Sequence, residues 1–282
     1  MSANALIAAA AGKKVRGVRP LSGGCISEVF AAEFADGSLA VAKLAQAQSS
    51  FLTEAWMLDY LKQNSALPVP AVLHASENLL LLEYLESGDA LDAAAQQHAA
   101  ALLAALHDIT APRFGLVKDT VIGSLHQPNP ETKSWLAFFR DQRLLYMARA
   151  ALDEGAIGTD LMARIEALAA RLADFLEEPA KPSLIHGDMW GGNVLSKRGR
   201  ITGFVDPAIY YADPEIELAF STLFSTFGEP FFARYAELRG IRDGFFEVRR
   251  DIYNLYPLLV HVRLFGGGYV ASVGQTLARF GF

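Results

Sequence analysis

The sequence predicts an α+β protein of two lobes, a small antiparallel sheet followed by a larger, mainly helical part. Three observations predict this. Between Val18 and Leu44, runs of alternating apolar and polar residues flank Asp36-Gly37, a dipeptide that tight hairpins favour. From Leu91 onward the apolar residues recur every three or four positions, the helical period. Finally, 282 residues at 52% hydrophobic and 20% charged suffice for two lobes sharing one cleft and show no sign of disorder. The division falls at 1–85 and 86–282.

A net charge of −6 without any long basic run argues against a nucleic-acid partner or an anionic membrane surface. The single cysteine cannot form an internal disulfide and fits a reducing, cytoplasmic setting. The ALIAAAA run, Ala5 to Ala11, has Lys13 and Lys14 behind it rather than ahead, so it reads as a first helix and not a signal peptide. The late apolar run from Leu255 to Val270 contains His261, Arg263 and three glycines. It falls short of the ~20 apolar residues of a spanning helix and reads as a buried one. Nothing in the sequence sets the oligomeric state.

Taken in order, Ser22-Gly23-Gly24 precedes the first long strand, where glycines let backbone N–H groups approach phosphate oxygens closely. In isolation such a pair is an ordinary turn. Cys25 behind it is by default an inert small residue, with a redox-sensitive thiol as the alternative. On the strand 38–44, alternation puts Leu39, Val41 and Lys43 on one face. A buried ammonium needs an anion. The following helix offers one, since Glu54 lies inside the stripe marked by Phe51, Leu58 and Leu61.

Pro68 and Pro70 close this region, and VLHA and NLLLLEYLESGD read as two further strands ending at a hinge, Glu86 to Asp89. A helix then carries Ala99, Leu102, Leu103 and Leu106 on one stripe, with His107 as a structural histidine near its end. Residues 113–144 form a long polar loop leading into a helix. Loops of this length are usually functional or disordered, and this one reads as an acceptor-pocket wall. Trp135, Phe138 and Phe139 read as core and Arg143 as an ion-pair partner. A scaffold helix spans 159–178, with Leu161, Ile165, Leu168, Leu172 and Leu176 inward. Asp213-Pro214 reads as a helix start with Asp213 at the N-cap.

The chemistry gathers between Ser183 and Asp213. Asp188 and Asn193 lie on the loop after one apolar run, and Asp206 ends a later one, so two carboxylates and an amide can converge at one cleft. Phosphoryl transfer requires a carboxylate to take the acceptor proton and oxygen ligands to hold magnesium against the phosphates. The five positions from Asp188 to Asn193 and thirteen more to Asp206 match the catalytic loop and metal aspartate of kinase-like enzymes.

HGDMWGGN at 186–193, followed by DPAIYYADPEIELA at 206–219, resembles the fructosamine (ketosamine) 3-kinase family, a branch of the aminoglycoside-phosphotransferase-like kinases. That family usually reads HGDLWSGN and DPA-x-YY-G-D-x-E-x-DLA. This chain departs at Met189, Gly191, Ala212 and Glu217, and keeps every catalytic group. The FG, IG, Q-x-N and W-x-x-FF-x-x-QR elements of 114–143 extend the likeness.

The resemblance implies a bilobal protein-kinase-like fold using ATP and Mg2+. Asp188 is then the base, and Asn193 and Asp206 are metal ligands. Lys43, oriented by Glu54, holds the phosphates under the Ser22-Gly23-Gly24 turn. Glu83, Tyr84 and Leu85 meet adenine through main-chain atoms. Trp190 either faces the acceptor sugar or packs between the lobes; Tyr210 and Tyr211 are candidates for lining the sugar site, with packing of the loop the alternative for one of them, and Asp213 is a further candidate for the acceptor side. Glu217 stands where an aspartate usually braces the catalytic loop. The implied acceptor is a small-molecule or protein-linked ketosamine phosphorylated at O3, a deglycation activity. A kinase for an aminoglycoside, choline or another amino-alcohol, and a nucleotide-binding pseudokinase, stay open.

Overall fold

The computed structural model describes residues 2–21, 28–45 and 50–282. Ser22, Gly23, Gly24 and Cys25 lie outside the described residues.

Helix α1 (Ala3–Ala11) lies on the outer face of a five-stranded antiparallel sheet with strand order β1-β2-β3-β5-β4. Its strands are β1 (Val15–Pro20), β2 (Glu28–Phe34), β3 (Leu39–Leu44), β4 (Val72–Ala75) and β5 (Leu79–Glu83). Alternation sorts the sheet into two faces. Ala32, Phe34, Ala40, Ala42, Leu79 and Leu81 pack beneath the fully buried Ile7 of α1. Lys43, Leu80 and Leu82 face the other way, toward α2 (Phe51–Asn64), whose Phe51, Ala55, Met57, Leu58 and Leu61 join the main core. The Asp36-Gly37 turn joins β2 to β3 as the dipeptide indicates, with Ser38 N donating to Asp36 Oδ1 at 3.0 Å.

The larger lobe begins with α3 (Ala93–His107), capped by Asp92, which accepts from Ala95 N at 2.8 Å. The 113–144 segment is less of a loop than its composition suggests. It contains a hairpin, β6 (Thr120–Ile122) and β7 (Leu125–Gln127), then α4 (Trp135–Phe138) and a π-helical stretch (Phe139–Leu144), after which α5 (Leu145–Asp153) follows. Helix α6 (Thr159–Ala169) stops short of the expected 178, giving way to one 3₁₀ turn at Leu172–Asp174.

Two short antiparallel pairs carry the central segment: β8 (Ser183–Ile185) with β11 (Tyr210–Ala212), and β9 (Val194–Lys197) with β10 (Arg200–Phe204). Helices α7 (Glu215–Leu223), α8 (Glu229–Arg239), α9 (Arg250–Phe265) and α10 (Gly268–Arg279) complete the lobe. Helix α9 is buried from Ile252 to Val260, as expected of a helix apolar all round. The run expected as one helix to Val270 is instead divided after Phe265, where Gly266 and Gly267 take φ of 63° and 60°. Among the described residues no helix is long and apolar enough to cross a membrane.

Candidate active site

Strand β3 delivers Lys43 to the cleft face, opposite Leu80 of β5. Its ammonium donates to Glu54 Oε1 at 2.6 Å and also to Asp206 Oδ1. Lys43 and Glu54 are nearly buried, whereas the Asp206 side chain is 45% exposed and faces the open cleft. Burial alone would lower the Lys43 pKa, but Asp206 and Glu54 outweigh it and hold the ammonium charged. Burial raises the Glu54 pKa against the pull of Lys43.

The loop after β8 places Asp188. Gly187 takes φ +88°, and a Cβ there would lie 2.1 Å from the Ala208 carbonyl oxygen, so only glycine fits this close approach. Ala208 N donates to His186 O at 2.7 Å, fastening the catalytic loop to the segment that leaves Asp206. From below, Gly187 N donates to Glu217 Oε1 at 2.7 Å. The other Glu217 oxygen meets His107 Nε2 at 2.8 Å, and His107 Nδ1 meets the Tyr235 hydroxyl at 2.7 Å. All three side chains are buried. Glu217 therefore reaches the loop despite its extra methylene, and His107 supports it from α3.

Asp188 Oδ2 accepts from Asn193 Nδ2 at 2.9 Å, and the same amide donates to Asp188 O. Asn193 O in turn accepts from Val205 N at 3.0 Å, one residue before Asp206. Burial, then the nearby Asp206 charge, push the Asp188 carboxyl up to about 7. Asp206 itself sits at φ 54°, a conformation uncommon for a residue with a side chain.

The other expected residues divide. Trp190 is partly buried and folds back on its own loop: a Cβ on Gly192 would meet its ring at 2.3 Å. Tyr210 is a correction, because it is 1% exposed and lies under the Arg143 guanidinium, 3.9 Å from its ring centroid, rather than lining a cleft. Asp213 is a second correction. It is fully buried, accepts from the Tyr253 hydroxyl at 2.8 Å and pairs with Arg242, so no side-chain oxygen is left facing an acceptor. It also accepts from Glu215 N, with the helix starting at Glu215 and not directly after Asp213.

At the linker, Glu83 still belongs to β5. Its N–H donates to Ala71 O at 2.9 Å and its carboxylate accepts from Ala71 N, so this amide is not available to a base. Tyr84 and Leu85 follow the strand end. The Leu85 side chain seats against β10 where a Gly203 Cβ would stand, 2.2 Å from Leu85 Cδ1.

Sequence reasoning missed a buried polar layer beneath Ala208 to Tyr210. Gln127 Nε2 donates to Ala208 O at 3.0 Å and to Thr120 Oγ1, while Gln127 Oε1 accepts from the Tyr256 hydroxyl at 2.6 Å. Asn129 bonds Thr120 and accepts from Arg143. Arg143, expected as an ion-pair partner, pairs with no carboxylate among the described residues. Its partners are the Pro128 and Gln142 carbonyls, the Asn129 amide and the faces of Phe138, Tyr210 and Tyr256. The Q-x-N spacing and a Gly-Ser turn between β6 and β7 were the available signals.

A lysine paired with a helix glutamate and a cleft aspartate, facing a loop aspartate–asparagine pair, defines a kinase-type phosphotransferase that uses ATP. The chain belongs to the fructosamine kinase family, whose pattern it matches over residues 1–280. It is 34% identical over 268 residues to a Synechocystis protein named a probable ketoamine kinase, covering 93% of this chain and 89% of the other. An Escherichia coli probable ketoamine kinase is 32% identical, covering 81% and 80%. A solved Thermobifida fusca structure, provisionally assigned as a fructosamine-3-kinase, superposes with a TM-score of 0.85 at 30% identity, covering 99% of both chains. The aminoglycoside phosphotransferase APH(4)-Ia shares the fold, with a TM-score of 0.69 at 17% identity over 99% of both chains.

Proposed function

We propose that this protein transfers the γ-phosphoryl group of ATP to a sugar hydroxyl of a ketosamine, with Mg2+ as the metal. The observation that carries the reading is the placement of Lys43 between Glu54 and Asp206, with the Asp188–Asn193 pair near enough to Asp206 to feel its charge. The names of the family relatives support a ketoamine acceptor.

Asp188 accepts the proton of the attacking hydroxyl. Its raised pKa suits a base working near neutrality. Asn193 orients it, and Lys43, kept charged and held by Glu54, binds phosphate oxygens. The donor set fits magnesium. Asp206 presents a half-exposed carboxylate, and Asn193 keeps its amide oxygen while its NH2 group holds Asp188. Among the described residues no three His, Cys, Asp or Glu side chains form a closed metal site. Mg2+ is commonly bound by one or two carboxylates plus substrate phosphates. Bound there by Asn193 and Asp206, it would neutralise charge developing on the phosphates. The Ser22-Gly23-Gly24 turn is assigned to cover the phosphates, Tyr84 and Leu85 to flank adenine, and Trp190 to border the acceptor. We place the reaction in the cytoplasm, on free or protein-linked ketosamines.

The test is ATP consumption over a panel of fructosamines and ribulosamines, aminoglycosides and choline, followed by NMR location of the new phosphate. Preference for a ketosamine with phosphate at O3 is expected. Preference for an aminoglycoside or choline refutes the acceptor. Asp188→Ala should lose turnover by roughly 10³-fold or more while still binding ATP, as expected of a group needed in the transition state. Unchanged turnover refutes the base.

A further inference from the structure

Two elements supply the carboxylates that hold Lys43. Helix α2 provides Glu54, and the segment entering β11 provides Asp206. These elements meet a second time. Tyr60, further along α2, brings its hydroxyl to 3.2 Å from the hydroxyl of Tyr211, in β11. Glu54 and Tyr60 are six residues apart, roughly 9 Å along the helix axis. The helix is thus tied at two separated points.

Both ends of the second tie are firmly mounted. The Tyr211 backbone pairs with Leu184 on one side and, on the other, exchanges hydrogen bonds of 2.9 and 3.0 Å with Gly115. The Tyr60 ring packs on Trp56 at 5.3 Å between centroids, and the Lys118 ammonium lies 5.2 Å over the Trp56 ring. Burial, then the Tyr60 hydroxyl, raise the Tyr211 pKa, so the phenol stays neutral and the contact is an ordinary hydrogen bond at working pH.

The apolar stripe of α2 seats it in the core, but the Glu54 tie is a salt bridge at the cleft, where Lys43 must also meet incoming phosphates. The tyrosine pair supplies a second polar hold, roughly 9 Å along the helix axis from that salt bridge. We propose that the Tyr60–Tyr211 bridge is a positioning device that seats α2 on the helical lobe and thereby keeps Glu54 on Lys43. This rests on the reading of Lys43 and Glu54 as nucleotide-side residues, and makes Tyr60 and Tyr211 positioning residues for phosphate binding. Lys118 and Trp56 brace the same joint.

The experiment uses the full-length chain as wild type, Tyr60→Phe, Tyr211→Phe and the double variant. The readouts are MgADP affinity by calorimetry, KM for ATP and for the acceptor, and melting temperature. Each single variant is expected to weaken MgADP binding about 3- to 10-fold, the effect of one hydrogen bond expressed at the site. The double variant should be no weaker than the worse single one, and the acceptor KM should move less than about twofold. Three results overturn the proposal: additive losses in the double variant, a rise confined to the acceptor KM, or a lower melting temperature with MgADP affinity unchanged. Wild-type protein that binds no MgADP would overturn the nucleotide-site reading and the bridge's role with it. Wild-type binding with unaltered variants overturns the bridge alone.

Discussion

Replacing Asp188 by Asn should stabilise the fold while abolishing turnover. Burial and Asp206 raise the carboxyl from 3.8 to about 7 in the folded chain. A group raised in this way favours folding when protonated, below its unfolded value, and that contribution is lost as pH climbs through the folded value. The amide of the Asp188→Asn variant would mimic the neutral acid at every pH, and its side-chain oxygen can still accept from Asn193. Linkage over three pH units gives an upper bound of about 4 kcal/mol in favour of the variant at pH 8. At pH 5 the same arithmetic leaves about 1.7 kcal/mol, so the advantage grows by roughly 2–3 kcal/mol between the two. Urea denaturation of wild type and Asp188→Asn at pH 5, 6.5 and 8, in chelator so that no divalent ion contributes, measures it. An advantage that is flat or shrinks with rising pH would show that Asp188 is not held in a desolvated, anion-facing position.

Other outcomes follow from the supports of the loop. Glu217→Ala strands two buried donors, Gly187 N–H and His107 Nε2–H, at about 1–3 kcal/mol each, and adds a cavity; a loss of roughly 3–6 kcal/mol is expected by denaturation, and less than about 1 would refute the brace. Gly187→Ala must both adopt a disfavoured backbone conformation and clear the Ala208 carbonyl, so at least about 3 kcal/mol should be lost, with turnover falling in step. In metal-free wild type the Asp188 carboxyl should titrate near pH 7, read by carboxyl 13C NMR against Asp188→Asn; titration at the ordinary carboxylate value would refute its desolvated position beside Asp206.

The hairpin with Asp36-Gly37, the inward lysine and its glutamate could be read in the sequence because each rests on local rules, alternation along a strand and periodicity along a helix. Asp188, Asn193 and Asp206 were readable from spacing, since a short loop and a short hairpin leave little freedom in where they end. Tyr210 and Asp213 were not, because what separates a cleft residue from a core residue there is the partner that arrives from afar. Arg143 and Arg242 come from the π-helical stretch and from the turn after α8. The same reason hid the Gln127 layer: its target, the Ala208 carbonyl, lies 81 residues away in sequence. The scaffold helix ended early at Ala169, although its apolar spacing continues to Leu176, because periodicity survives a short 3₁₀ turn and so cannot mark one.

The seating of Leu85 on Gly203 couples two duties through a single mechanical support. Gly203 belongs to the strand that runs on to Asp206, so the crosspiece between the lobes and the cleft carboxylate rest on the same beam. Any side chain larger than glycine at 203 would collide with Leu85 and so load the crosspiece and the approach to Asp206 together.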